Sequence, residues 1–167
     1  MSNEQVIDLA NKKGIKAEVF YAASQDTPIE FGNNRLKSLE TKAYEGIALR
    51  VIADNKLGFA SSTDLTRLAD LVDAAVATAE IGDPVEFDFT QDVNSVEPKS
   101  DYQPTTTEKL VEIGEDLISQ VHQYNPDILV DVSFHSGTSQ AKLATTTNVY
   151  TEDHSYSLSA VISGNLV

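Results

Sequence analysis

Cysteine is absent from this 167-residue sequence, so metal binding or nucleophilic chemistry falls to three histidines, the hydroxyls and the carboxylates. His135 and His154 can approach each other on neighbouring strands, with Asp131 or Asp153 beside them. Two imidazoles and a carboxylate bind zinc where their geometry converges. No fixed spacing of the His-Glu-x-x-His kind joins them, and the plainer reading is two strand histidines near a surface. His122 follows a helix's last turn, where an imidazolium suits the helix dipole. Arg35, next to Asn33 and Asn34 in a polar turn, could grip a peptide carboxylate with both arms of its guanidinium. A turn with one exposed arginine is the commoner case. Arg50 interrupts a strongly apolar strand, so it either faces solvent or pairs with an acid. The hydroxyl runs Ser61-Ser62-Thr63 and Thr145-Thr146-Thr147 come without a Gly-x-Ser-x-Gly elbow or a glycine-rich phosphate loop. Glu112, Glu115 and Asp116 fall on the polar side of a helix, where water solvates them. We therefore predict no catalytic, cofactor-binding or metal-ligating residue in this chain, and leave its substrate contacts unassigned.

The elements that would position these residues are legible from periodicity. A helix is expected over 3–13, with Ser2 and Gln5 at capping-box spacing and Gly14 at its end. Strand character starts at Lys16 and runs through AEVFYAA (17–23), and a second strand follows over 27–31 after a turn at Ser24 to Asp26. Pro28, lacking an N–H, should sit on an edge or at a strand's beginning. Gly32-Asn33-Asn34-Arg35 turns the chain, because Gly and Asn tolerate positive φ. A strand over 36–43 should break at Gly46, and IALRVIA (47–53) is the strongest strand signal. Asp54-Asn55-Lys56 turns into a strand over 57–60. Leu65, Leu68, Leu71, Val72, Ala75, Val76 and Ala79 then give a 3.6-residue stripe, predicting a helix over 63–81. Residues 82–104 hold three prolines and many acids and read as an extended connection, with a substrate lid as the functional alternative. Within it, Val85, Phe87 and Phe89 alternate like part of an edge strand. Thr105 with Glu108 opens a helix over 105–123, and strands are expected at 128–136, 140–145 and 155–163, followed by a turn at Gly164-Asn165.

Hydrophobic residues make up 41% and charged residues 23%, the balance of a folded domain. The formal charge of −14 argues against direct nucleic-acid contact, which needs clustered Lys and Arg. No run approaches the ~18 apolar residues of a membrane span, and the first residues lack a basic, continuously apolar leader. A cytoplasmic location is expected.

The two halves echo one another. Laying Ala17 on Val130 also lays Gly32 on Thr145 and Gly46 on Ser159. With a slip of a few residues, Gly164-Asn165 would match the turn at Asp54-Asn55-Lys56. The predicted fold is α+β: a mostly antiparallel sheet built from two helix-plus-hairpin units, with about three main helices packed on it. The expected division is a first unit over 1–81, the connection 82–104, and a second unit over 105–167. That second unit reads as cut short before a C-terminal domain.

GNNRLKSLE, GIALRVIADNKLGFA and ASSTDLTRLADLVDAAVATA, within 18–81, resemble the N-terminal region of the TldD/PmbA family, named as modulators of DNA gyrase and classed as zinc metallopeptidases. The GFASSTDL run is nearer the PmbA (TldE-like) side; residues 105–167 agree in element order only. The resemblance implies a homo- or hetero-oligomer with a TldD-like subunit and a peptide substrate. It implies zinc as the cofactor, held in a C-terminal domain of the catalytic partner, and none in this segment. On that basis the chain is expected to be a non-catalytic N-terminal domain that helps assemble subunits and enclose a peptide, inactive alone. The alternative is a stand-alone peptide- or protein-binding module that adds a strand at a sheet edge. A direct gyrase or DNA effector fits the family's older name but not the acidity.

Overall fold

Val6 and Ala10, one helical turn apart, are both fully buried, and they fix the inner face of the first helix, α1 (Ser2–Lys13). Gly14, at φ 66°, ends it in the left-handed conformation. The computed structural model describes residues 2–91 and 104–166. After α1 come β1 (Lys16–Gly32), β2 (Arg35–Leu39), β3 (Lys42–Ala53), β4 (Lys56–Ser62) and α2 (Leu68–Glu80). The chain continues with α3 (Thr107–Tyr124), β5 (Ile128–Thr145) and β6 (Tyr150–Leu166). The strands form one six-stranded antiparallel sheet in the order β4-β3-β1-β5-β6, with β2 also paired to β1. The α+β class read from the sequence is the observed one. Among the described residues no helix is long and apolar enough to cross a membrane.

The chain divides into two compact units, and the long strands contribute to both. The described part of the first comprises residues 2–23, 45–91 and 140–154; that of the second comprises 24–44, 104–139 and 155–166. In the first unit, α1 and α2 lay Val6, Ala10, Leu71, Val72 and Ala75 on Ala17 and Val19 of β1 and on Ile47, Leu49 and Val51 of β3. Helix α2 lies so close to β4 that a Cβ at Gly58 would fall 2.0 Å from the Ala75 carbonyl oxygen. In the second unit, α3 sets Leu110 and Ile118 on Ile29 and Phe31 of β1 and on Val130, Val132 and Phe134 of β5. Gly114 leaves room for the Phe31 ring, which a Cβ would meet at 2.4 Å.

Several local expectations are corrected. Strand β1 runs unbroken through Ser24–Asp26, and Pro28 lies inside it. The register Ile29↔Leu39 puts Pro28 opposite Glu40, where β2 and β3 part. The donor that proline lacks coincides with that gap in the partner. Thr27 and Thr41 bridge the next step through their hydroxyls at 3.0 Å. Neither Gly46 nor Gly137 interrupts its strand. Helix α2 begins at Leu68, not Thr63, because the polar residues ahead of it bond locally. Asp64 Oδ1 accepts from Thr66 N at 2.9 Å and Thr66 Oγ1 at 2.6 Å, while Ser62 Oγ accepts from Asp64 N. The cap of α3 is Thr106 rather than Thr105, its side chain accepting from Lys109 N at 3.3 Å.

The echo between halves holds without the slip. Strand β1, its turn and β2–β3 correspond to β5, its turn and β6, while Gly164 and Asn165 lie in the β6 strand. Of the acidic connection, Pro84 bridges Lys56 and Phe89 is buried, and residues 92–103 lie outside the described part.

Candidate functional site

The first unit carries an open groove of about 590 Å3 on the sheet. Phe20 and Ala22 come from β1, Gly46, Ile47 and Ala48 from β3, and Ser61, Ser62 and Thr63 from the end of β4. The β3–β4 register, Ile47↔Ser62 and Ala48↔Ser61, brings the hydroxyls alongside the small residues. Ala22, Gly46 and Ala48 contribute little side-chain bulk, and the ring of Phe20, 44% exposed, stands among them. The rim at Ser62 is held by the Ser62–Asp64–Thr66 bonds, and the Thr66 hydroxyl keeps the Asp64 carboxyl below its usual range. None of the lining side chains is a carboxylate, histidine or amine. Such a surface can bind an extended, uncharged segment through apolar contact and hydroxyl hydrogen bonds; it offers no proton-transfer group.

Beyond this groove, Arg50 is paired with an acid. Its Nε donates to Glu18 Oε1 at 2.9 Å across β3 and β1, and its guanidinium lies 5.7 Å from the centre of the Phe89 ring. Lys16 Nζ meets Asp88 Oδ2 at 2.5 Å, and that hydrogen bond lowers the Asp88 carboxyl. Phe89 itself is 3% exposed. Residues 88 and 89 are thus tied to β1 and β3.

The predicted site residues fall as follows. His154 Nε2 lies 2.9 Å from Glu152 Oε1, which also takes Gln140 Nε2 at 2.7 Å and Lys142 Nζ at 3.2 Å. Tyr150 OH donates to Glu152 Oε2 at 2.8 Å. These bonds, the tyrosine's first, bring the Glu152 carboxyl down to about 2. His135 belongs to the other unit and is exposed. His122 sits in the last turn of α3, where its Nε2 is buried without a hydrogen-bond partner among the described residues. No group of three potential ligands converges among the described residues. Lys142 Nζ already pairs with the Glu152 carboxylate that His154 meets. These residues do not fit a zinc site. Arg35 is exposed, and its turn is used structurally. Asn33 N donates to Asp131 Oδ1 at 2.8 Å, and Asn34 Oδ1 accepts from Val130 N at 2.7 Å. Glu112 pairs with Lys109 on the surface of α3. The groove was not singled out from the sequence, although Phe20, Ala22 and the Ser-Ser-Thr run were visible in it. Only the register between three strands assembles them.

The family model for the PmbA/TldA metallopeptidase domain 1 matches residues 17–79. An uncharacterized protein of Methanocaldococcus jannaschii is 33% identical over 60 residues, which is 36% of this chain and 14% of that protein. Among solved structures, a Bacteroides thetaiotaomicron protein described as a proposed modulator of DNA gyrase is similar with a TM-score of 0.72 and 20% identity. That match covers 95% of this chain and 39% of the other. A Thermotoga maritima protein of like description gives a TM-score of 0.71 at 10% identity, over 99% of this chain and 42% of that one. TldE from Thermococcus kodakarensis gives 0.65 at 14% identity, over 100% and 43%. The chain therefore spans about two fifths of these structures and far less of the curated relative.

Proposed function

Since residues 17–79 belong to the PmbA/TldD family as its first domain, we propose that this chain is the non-catalytic N-terminal domain of a metallopeptidase subunit. In this reading it helps assemble the subunit with a TldD-like partner in the cytoplasm and encloses a peptide substrate. The observation that carries it is where the groove falls. Every groove residue, from Phe20 to Thr63, lies inside the stretch that the family model matches. The groove's low, uncharged floor suits the backbone of an extended peptide, and the chemistry of cleavage is assigned to a zinc held outside these residues.

The test measures zinc content and cleavage of an unstructured peptide, for the chain alone and mixed with a TldD-type catalytic subunit. The chain alone should leave the peptide intact, and the mixture should cleave it. Ala48→Asp, which puts a charge on the groove floor, should slow the mixture several-fold without changing its zinc. Cleavage by the chain alone, with stoichiometric zinc lost on replacing His135 and His154, would overturn the proposal.

A further inference from the structure

Arg50 borders the groove floor and has hydrogen-bond donors to spare. Every second side chain of a strand shares a face, so Arg50 follows Ala48 along β3 and Glu18 precedes Phe20 along β1. The bond from Arg50 to Glu18 puts these two rows on the same side of the sheet. That side is turned away from α1 and α2, which pack on Val19 and Leu49 instead. Arg50 Nε and Nη2 both donate to a single oxygen, Glu18 Oε1. A guanidinium carries five N–H donors, two are taken, and three are left without a partner among the described residues. The Arg50 side chain is 48% exposed against 14% for Glu18, so an occupant of the groove meets the cation before the acid. The buried ring of Phe89 backs the guanidinium and, with Glu18, holds it in place.

We propose that Arg50 is a carboxylate anchor at this end of the groove, gripping either the C-terminal carboxylate of a bound peptide or an Asp or Glu side chain within it. The inference rests on the peptide-binding reading of the groove and adds which group of the peptide is held. Charge complementarity selects that group. The groove lining is uncharged, and a chain carrying −14 repels acids at long range. A carboxylate is therefore held only where directed donors are free, and the planar fork of an arginine matches its two oxygens. A peptide amine would have to part Arg50 from Glu18 first.

Fluorescence anisotropy with three probes tests it. They are Val-Ser-Ala-Phe-Ala-Val carrying a neutral dye on its N-terminus and a free C-terminal carboxylate, the same peptide amidated, and the amide with glutamate replacing serine. At least one carboxylate probe should bind roughly five-fold tighter than the neutral amide, the upper range for an exposed ion pair. The tighter of the two tells a chain end from a side chain as the group held. The general field of the chain favours the amide, so it cannot produce this preference. Arg50→Met should bring the carboxylate probes to the affinity of the amide. Arg50→Lys keeps a cation beside Glu18, and with it the fold, yet should lose most of the preference for want of a second flat edge. Ala48→Asp should weaken all three probes. Equal binding of the three by the wild-type chain would overturn the anchor and leave the groove standing, as would a preference that survives both Arg50 variants. Binding of no probe, or binding that Ala48→Asp leaves untouched, would overturn both.

Discussion

Strands β4 and β6 are the two ends of one strand order, yet they are finished in contrasting ways. Along β4 the free backbone groups are taken up one after another. Val85 N donates to Asn55 O at 2.9 Å, and Leu57 N to Asp83 O at 3.1 Å. Phe59 N donates to Thr78 Oγ1 at 2.8 Å, and the same hydroxyl lies 2.9 Å from Phe59 O. Lys56 adds a bond to Glu80 O at 2.8 Å. A helix and its trailing segment thus close this edge against other strands. Residues 155–166 of β6 have no covering strand or helix among the described residues and no charge to deter one. One end of the strand order is thus closed by a helix and its trailing segment, while the other differs in composition, being free of charge over residues 155–166.

The largest expected effect breaks the closed edge outright. Gly58→Val would drive a Cβ into the Ala75 carbonyl and the Ala79 backbone, neither of which can swing aside as a side chain can. Helix α2 must lift from β4, at a cost of about 3 kcal/mol or more. Urea unfolding should show a lower midpoint. Next comes Thr78→Val, which keeps the shape but leaves both Phe59 backbone groups without their partner. Water can reach this site, so the cost should be about 1 kcal/mol. It should also make the chain more prone to associate through β4, seen as a concentration-dependent sedimentation coefficient. Thr78→Ser, which retains the hydroxyl, should restore most of the difference.

The contrast between these edges explains which features could be read in advance. The β3–β4 turn was legible because Asp54 and Asn55 are residues that accept positive φ, and they adopt 49° and 61°. The helix stripe of α2 was legible for a similar local reason, although its start was not. Ser62, Asp64 and Thr66 spend their side chains on a turn before the helix can begin. Ser24-Gln25-Asp26 has turn composition but lies in the middle of β1, where pairing with neighbouring strands overrides local preference. The hydroxyl of Thr78 meeting Phe59, like the groove built from β1, β3 and β4, depends on registers between residues far apart in sequence. Composition carries no record of those registers.

The smallest effect separates the two parts of β6 from each other. Residues 150–154 are held to β5 by Glu152, whose bonds to Tyr150, Lys142, His154 and Gln140 bring its carboxyl from 4.5 to about 2. Residues 155–166 have no such ion pairs because they carry no charge. A carboxyl whose pKa is depressed in the folded chain stabilises it fully above the unfolded value near 4.5. That contribution fades as the pH falls toward about 2, where the folded chain takes up the proton as well. Glu152→Gln removes the titration. Wild type should therefore melt slightly higher than the variant at neutral pH, with the gap narrowing between pH 4.5 and about 2. Added salt at neutral pH should narrow it too, since the group is exposed and its ion pairs are screened. If the gap stays constant with pH, Glu152 is not what fastens the start of β6. Its other contacts with β5 would then carry that role.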